Sequence, residues 1–191
     1  MMTNAQTTNE YKLDMNSGKL MVREVDKVEF VGHDGQGVII TNKDMDTEQS
    51  ERAKGLKLIN GLGLEDNTGA GLNVVKEGAN SVISQISRNG NGEYIIKVPK
   101  GVTIVYEHSS VYGSKVKFSN VSGEIESTTN HSDVELENVT GPLSINTVHG
   151  DIEGNFSAVS QSNPTSIVSA HGNIDISLPS ATKANFKINT S

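Results

Sequence analysis

The sequence contains no cysteine and no tryptophan, and aromatic residues make up only 4% of its 191 residues. Without cysteine there are no disulfide bonds, no thiol catalysis and no thiolate metal sites. So few aromatic side chains would fill a compact globular core poorly, whereas a stacked repeat protein can fill its interior with Val, Ile and Leu. No apolar run approaches the roughly 18 residues of a membrane-spanning helix. The composition therefore favours a single repeat-built domain without a membrane span.

Basic residues are also scarce. The chain has 16 Lys and Arg against 23 Asp and Glu, which gives a formal net charge of −7, and Arg occurs only at Arg23, Arg52 and Arg88. A protein that binds nucleic acid neutralises phosphates with clustered Lys and Arg. The charge balance therefore argues against nucleic acid as a partner.

The C-terminal part of the chain, residues 115 to 191, repeats itself. The first apolar residues of four successive units are Val116, Val134, Ile152 and Ile174, so the steps are 18, 18 and 22 residues. The longer third step is explained by an insertion around residues 161 to 164. A period near twenty, built from short segments, is typical of a stacked solenoid.

Within each unit the apolar residues stand two apart, as in Val134 and Leu136 or Leu143 and Ile145, which is the period of a strand with one buried face. One such unit cannot bury its inward face alone, but stacked units pair their backbones at about 4.8 Å and align like residues in ladders. The sequence therefore predicts an all-β fold: a single-stranded β-solenoid, or β-helix, of short rungs. Residues 11 to 191 are predicted to form one domain, whose N-terminal strand-rich portion begins or caps the stack.

Several local patterns precede the repeats. Strand-like runs at residues 19 to 31 and 37 to 41 flank the glycine-containing turn 33 to 36, and runs at 81 to 87 and 93 to 98 flank Asn89-Gly90-Asn91-Gly92. Both patterns predict hairpins. A further run at Val102 to Tyr106 leads into the repeats.

Three further segments are not strand-like. Asp46 to Lys54 is the one helical candidate, with Asp46 as its cap. The glycine-rich stretch 56 to 77 contains Gly61-Leu62-Gly63, which lacks the strand, further glycines and helix of a phosphate-binding loop, so tight turns are expected there. Residues 1 to 10 are expected to be a disordered N-terminus or the remnant of a signal peptide, because Thr3-Asn4-Ala5 before Gln6 resembles the end of a secretory signal.

The chain also resembles a known family. The phrase Tyr-Ile-Ile-Lys-Val-Pro-Lys-Gly-Val at 94 to 102 is followed by Thr-x-x-Gly-Asp-Ile at 147 to 152 and by Asn-Val-x-Gly at 120 to 123 and 138 to 141. These motifs resemble the bacterial putative-adhesin family of unknown-function domains over roughly residues 18 to 191. The resemblance implies an exported, repeat-built, all-β envelope protein with no established catalytic residues. The third unit departs from the pattern, because Gly154-Asn155-Phe156 stands where Leu136-Glu137-Asn138 forms a strand.

In the solenoid register, acidic residues align on one outer face. Lys115, Asp133, Asp151 and Asn173 form one column, and Lys117, Glu135, Glu153 and Asp175 form the next outward column. Directly opposed like charges destabilise a sheet, so an acidic ladder favours a cation or a basic partner. Ca²⁺ accepts many carboxylate oxygens with loose geometry. Asp133, Glu135, Asp151, Glu153 and Asp175 are therefore a candidate calcium site, with a merely solvated face as the alternative.

A second ladder consists of His131, His149 and His171, each two residues before the Asp or Asn that opens the next unit. Imidazoles at rung spacing could bind a transition metal, or could lose their packing when protonated near pH 6. A polar turn ladder without a ligand is the alternative. The neighbouring His131-Ser132-Asp133 is not expected to form a catalytic triad, because a triad is assembled in space and not by adjacency.

These patterns predict a non-catalytic, adhesin-like binding or structural module, exported to the periplasm, outer surface or medium, whose partner is an envelope protein or a glycan. One alternative is a carbohydrate-active β-helix enzyme that uses Asp133, Asp151 and Asp175 as acid and base. It is disfavoured because the repeats offer few basic residues to hold an acidic sugar. The other alternative is a self-assembling scaffold, since residues 186 to 191 carry no polar cap and leave the last rung open to a second copy. No cofactor is expected apart from the candidate calcium ion.

Overall fold

The structure is a computed structural model, and it describes residues 10–44, 59–61, 63–86 and 92–190. These residues contain fifteen strands and no helix, in agreement with the predicted all-β class. In chain order the strands are β1 Glu10–Leu13, β2 Gly18–Arg23, β3 Lys27–His33, β4 Val38–Asn42, β5 Leu72–Glu77, β6 Asn80–Gln85, β7 Tyr94–Pro99, β8 Val102–His108, β9 Lys115–Ser119, β10 Ile125–Thr129, β11 Asp133–Val139, β12 Leu143–Thr147, β13 Ile152–Phe156, β14 Ser166–Ser169 and β15 Ile174–Ser177.

The strands form two sheets that enclose one hydrophobic core. Sheet A has the order β1-β4-β7-β3-β9-β11-β13-β15, and sheet B has the order β14-β12-β10-β8-β2-β6-β5. From β8 onward the chain alternates between the sheets, and each strand pairs in parallel with the equivalent strand of the next rung. This is the predicted β-solenoid, in which one strand on each sheet makes up a rung.

The predicted register of the repeats is confirmed. Val116 pairs with Val134, Val134 with Ile152, and Ile152 with Ile174. The four extra residues of the third step fall between β13 and β14, outside both sheets, so the strand register is unaffected. Val134 is 1% exposed and Glu135 points outward, as the alternation predicts.

The third unit keeps its strand by a local adjustment. Gly154 pairs with Leu136, and after a bulge at Asn138 it is Phe156 that pairs with Val139. Asn138 has a φ of 56°, the left-handed conformation that Asn tolerates better than most residues. A Cβ on Gly154 would lie 2.6 Å from Cδ1 of Ile176, so the side chain of the next rung fills the place of the missing one. The third unit therefore departs from the motif without losing the core.

The N-terminal portion does more than begin or cap the stack. β2 lies between β6 and β8 in sheet B, and β3 lies between β7 and β9 in sheet A. The rung formed by β2 and β3 is thus inserted between two rungs that follow each other in sequence. The connection from β7 to β8 passes this inserted rung. In that connection, a Cβ on Gly101 would lie only 2.5 Å from the carbonyl oxygen of Asn16.

Both predicted hairpins are wrong. β3 and β4 lie in the same sheet, but β7 lies between them, and β6 and β7 lie in different sheets. The turn signals mark changes of direction correctly, yet in a solenoid the strand after a turn crosses to the opposite sheet or to another rung. Residues 87 to 91 of the second turn lie outside the described residues.

The hairpin that does form was not predicted. β5 and β6 pair antiparallel around a turn at Gly78 and Ala79, where Gly78 has a φ of 65°. β1 and β4 are antiparallel as well, and these strands close the first end of the stack. The predicted helix Asp46 to Lys54, Leu62 of the Gly61-Leu62-Gly63 stretch and residues 1 to 9 lie outside the described residues.

Candidate functional site

The outer face of sheet A carries an in-register column of charged side chains. Glu29, Lys117, Glu135, Glu153 and Asp175 pair with one another in that order along five adjacent strands. Because parallel strands in register repeat every rung at about 4.8 Å, these side chains form a ladder. The predicted alignment of Lys117, Glu135, Glu153 and Asp175 is therefore confirmed, and the column extends one rung further to Glu29.

We name this column the charged ladder. Lysines pair with the carboxylate at its centre, Glu135. The Glu135 carboxylate lies 3.0 Å from Lys115 Nζ and 3.1 Å from Lys117 Nζ, and Lys117 also lies 2.6 Å from Glu137. The hydrogen bond from Lys115 holds the pKa of Glu135 below its usual value, and the bonds to Glu137 and Glu135 raise the pKa of Lys117 to about 12. Because the folded pKa of Glu135 is lowered, its stabilising effect is present above the unfolded pKa and is lost as the pH falls through the folded pKa.

The second half of the charged ladder has no such partners. Among the described residues, no ion pair involves Glu153 or Asp175. Both carboxylates are exposed on the last two strands of sheet A. The ladder therefore changes along the stack from a paired region to an unpaired acidic one.

The aspartates that open the repeats accept hydrogen bonds from the backbone of the next rung. Asp133 Oδ1 accepts a hydrogen bond of 3.0 Å from the backbone N–H of Asp151, and Asp151 Oδ1 accepts one of 2.7 Å from the N–H of Asn173. Each carboxylate thus bonds to the backbone where the next rung begins. These bonds help fix the position of successive turns. They also engage one carboxylate oxygen of Asp133 and one of Asp151 that would otherwise be free to bind calcium.

The geometry does not supply a metal centre in the described part of the chain. No group of three or more His, Asp or Glu side chains is placed there so that it could hold one ion. Calcium binding by Asp133, Glu135, Asp151, Glu153 and Asp175 stays a prediction for the exposed face.

That prediction has a direct thermal test. If Ca²⁺ binds the charged ladder, millimolar Ca²⁺ should raise the melting temperature, because a ligand that binds only the folded state stabilises it. Replacing both Glu135 and Glu153 with Gln should abolish the rise. Mg²⁺ at the same concentration is the control for ionic strength, and an unchanged melting temperature in Ca²⁺ would refute the hypothesis.

The histidines form the predicted stack. The ring centroids of His131 and His149 are 4.7 Å apart, and those of His149 and His171 are 4.8 Å apart with an interplanar angle of 13°. The third ring is aligned despite the longer step, because the inserted residues lie before β14. The first pair of rings is tilted by 31°, so only His149 and His171 lie nearly face to face. Transition-metal binding by the three histidines, or a response to their protonation, stays a prediction.

A tight turn accompanies this stack. Gly150 and Gly172 follow His149 and His171, and a Cβ on either would lie 2.1 Å from a carbonyl oxygen of the preceding turn. The first turn has Ser132 at the equivalent place, and Gly113 leaves room for it: a Cβ on Gly113 would lie 2.3 Å from Ser132 Oγ. Small residues are therefore required wherever consecutive turns stack directly.

Sequence reasoning missed a buried polar cluster beneath the first of these turns. His108 is 1% exposed, and its Nε2 lies 3.0 Å from Oδ1 of Asp26. His108 Nδ1 and Ser132 Oγ both lie next to Gly113, because a Cβ built on Gly113 would be 2.9 Å from the first atom and 2.3 Å from the second. Neither atom has a hydrogen-bond partner among the described residues. The alternation Ile104, Tyr106, His108 signals that His108 faces inward, but no local signal links it to Asp26, which is 82 residues away.

Ser132 and its sequence neighbours face different ways. Ser132 is fully buried, whereas Asp133 is exposed and His131 belongs to the outer stack. The adjacent residues His131-Ser132-Asp133 are therefore not assembled as a triad. Gly113 packs against His108 and Ser132, and Asp26 reaches His108 from the inserted rung. We assign the cluster to the junction between the inserted rung and the repeats.

The fold and its ladders define a class: a two-sheet parallel β-solenoid with repeated turns. Residues 115–191 match the Toastrack family DUF4097, a domain of unknown function. The match begins at the first residue of β9 and covers the four repeats, so the predicted resemblance to a repeat-built family is confirmed for this part of the chain.

The solved structure of a "putative cell adhesion protein from Clostridium sporogenes ATCC 15579" aligns with a TM-score of 0.45 and 10% sequence identity, over 87% of this chain and 97% of that chain. At that level the likeness contributes nothing to a functional assignment. No curated protein matches the chain. Within the described residues, no helix has the length and apolar character needed to cross a membrane.

Proposed function

We propose that the protein is a non-catalytic binding module of the bacterial cell envelope that is exported and acts in an adhesin-like manner. The observation that carries the proposal is the charged ladder, in which outward side chains of sheet A repeat in register along five adjacent strands. Parallel pairing holds these groups at a fixed spacing, so a partner with a repeating structure meets a carboxylate on each of three successive rungs, at Glu135, Glu153 and Asp175. The Toastrack match is compatible with this role and assigns no activity.

The partner is an envelope protein or a glycan that carries basic or hydroxyl groups. Glu153 and Asp175 are the unpaired end of the ladder, so they are available to accept hydrogen bonds or to pair with cations. Glu135 is already held by two lysines and contributes less. Exposed charge pairs are individually weak, so binding would depend on several rungs acting together.

Localisation in the native cell tests the proposal. Fractionation combined with protease treatment of intact cells, using the full reading frame, should place the protein outside the cytoplasm. A screen of glycans and matrix proteins should then yield a ligand whose binding is weakened when Glu153 and Asp175 are replaced by Gln and Asn. Confinement to the cytoplasm would contradict export and would favour an internal scaffold.

A further inference from the structure

The imidazole rings of this protein fall into two groups. Two of the five histidines are held by the fold: one ring nitrogen of His33 accepts a backbone N–H at 3.1 Å and the other lies 3.0 Å from a carbonyl oxygen, while His108 is buried against Asp26. The other three form the stack along the repeat turns, which we name the histidine ladder: His131, His149 and His171. None of their ring nitrogens forms a hydrogen bond with another described residue. The histidine ladder is therefore where uncommitted nitrogen ligands are concentrated.

Two members of the histidine ladder differ from the third. His149 and His171 are exposed, whereas His131 is half-buried and its Nδ1 atom is buried. The rings of His149 and His171 are nearly parallel, with 4.8 Å between centroids and an interplanar angle of 13°, whereas the ring of His131 is tilted by 31° against that of His149. His149 and His171 are therefore the pair that presents its rings side by side to solvent.

The backbone holds this pair at a fixed spacing. The N–H of His149 donates a hydrogen bond of 2.8 Å to the carbonyl of Asn130 in the turn before it, and the N–H of His171 donates one of 2.9 Å to the carbonyl of Val148. The turns are also in direct contact, because a Cβ on Gly172 would lie 2.1 Å from a carbonyl oxygen of the preceding turn. The two imidazoles thus project from backbone positions that the fold fixes before any ligand binds, which lowers the entropic cost of binding one.

The spacing of the pair suits one metal ion. The lone pair of an imidazole nitrogen lies in the plane of the ring, so an ion binds at the exposed rims of two stacked rings and not between their faces. Each nitrogen would lie about 2.1 Å from the ion, which brings the two nitrogens to about 3 Å from each other. From a centroid spacing of 4.8 Å, the rims need only tilt towards each other. The histidine χ2 torsion is broad, and no hydrogen bond within the described residues opposes its rotation.

We propose that His149 and His171 chelate one divalent transition-metal ion, with water in its remaining positions. Imidazole nitrogen suits Zn²⁺, Ni²⁺ and Cu²⁺, whereas Ca²⁺ and Mg²⁺ prefer oxygen ligands, so the site differs in chemistry from the charged ladder. A two-ligand site agrees with the finding that no three His, Asp or Glu side chains of the described residues could hold one ion.

The electrostatics of this edge favour a cation. Asp151 follows His149 by two residues, and its Oδ1 accepts the N–H of Asn173, two residues after His171, so a carboxylate accompanies the pair. The net charge of −7 adds a long-range attraction. The ion would link the turn before β13 to the turn before β15. The inference goes beyond the proposed function and does not depend on export.

Calorimetric titration of the full chain with Ni²⁺, without a polyhistidine tag, tests the pair. The wild type should bind one Ni²⁺ per chain with micromolar affinity. His149→Gln and His171→Gln should each weaken binding by about tenfold or more, because a single imidazole loses the gain from joined ligands. Both side chains are exposed, so circular dichroism should show both variants folded.

His131→Gln is the matched control within the same ladder and should leave the Ni²⁺ affinity unchanged. Excess Ca²⁺ should not displace Ni²⁺, since it is a poor partner for nitrogen. The proposal is overturned if the wild type does not bind Ni²⁺, if His131→Gln weakens binding as much as the other two variants, or if Ca²⁺ competes.

Electron paramagnetic resonance with less than one Cu²⁺ per chain counts the nitrogen ligands. The wild type should show superhyperfine coupling to two nitrogens, and His171→Gln should show coupling to one. An unchanged two-nitrogen spectrum in His149→Gln/His171→Gln would place the ion elsewhere and contradict the assignment. One ion for every two chains in the calorimetric titration would mean that two copies share it, which would also rule out chelation within one chain.

Discussion

Replacing Val134 with Asp is expected to unfold the solenoid. Val134 is 1% exposed in the middle of the inward column, with Val116 on one side and Ile152 on the other. The substitution removes about 1.5–3 kcal/mol of apolar burial and places a charge without a partner in the core. Losses above about 4 kcal/mol are typical of such changes and are comparable to the total stability of many domains. Urea unfolding followed by circular dichroism should show a large fall in the midpoint, or no folded baseline.

The matched control is Glu135→Ala on the adjacent outward position. It loses the ion pairs with Lys115 and Lys117, and exposed pairs contribute about 0–1 kcal/mol each. The midpoint should therefore move little at pH 7. Equal effects of the two variants would mean that the inward and outward assignments are wrong.

Replacing Gly150 with Ala is expected to give the second largest effect. Its Cβ would lie 2.1 Å from the carbonyl oxygen of Ser132, which is backbone and cannot rotate away. The turns must separate to admit the methyl group, and overpacking of this kind costs about 1–3 kcal/mol. The hydrogen bond from the neighbouring Asp151 N–H to Asp133 should weaken with it. Thermal and urea unfolding of the variant should both show the loss.

Gly61→Ala is the control for this change, because a Cβ there meets no atom of the described residues within 4 Å and the φ of Gly61 is not in the left-handed region. It should leave stability unchanged or raise it slightly by restricting the unfolded chain. If Gly150→Ala were as stable as Gly61→Ala, the direct stacking of the turns would be refuted.

The repeats could be predicted because their spacing and their alternation are patterns of residues that lie close together in the sequence. Val116, Val134, Ile152 and Ile174 recur at nearly constant spacing, and a period-two pattern permits only one face to be buried. The same register predicts both ladders, since outward residues follow from inward ones. His149 and Glu135 therefore lie where the sequence places them.

The structure of the N-terminal portion was not predictable in this way. The apolar pattern of β2, with Leu20 and Val22 buried, fits any rung of a parallel solenoid, and the turn at residues 33 to 36 is compatible with a hairpin or a crossover. Insertion of β2 and β3 between later rungs depends on the parallel pairing of β2 with β8 and of β3 with β9. Those partners lie more than 80 residues away in the sequence.

By itself the sequence determined the all-β class, the period of the rungs and which side chains of residues 115–191 face inward, because alternation and repeat length are properties of neighbouring residues. Only the tertiary structure decided the order of the rungs, the pairing of His108 with Asp26, and how the first end of the stack is closed. Each of these depends on contacts between distant segments: the Asp26 carboxylate on His108, the Asn67 amide on the edge of β5, and the Asn16 carbonyl against Gly101. Such contacts leave no periodic signal, since each is formed once and by residues that are ordinary in their own local context.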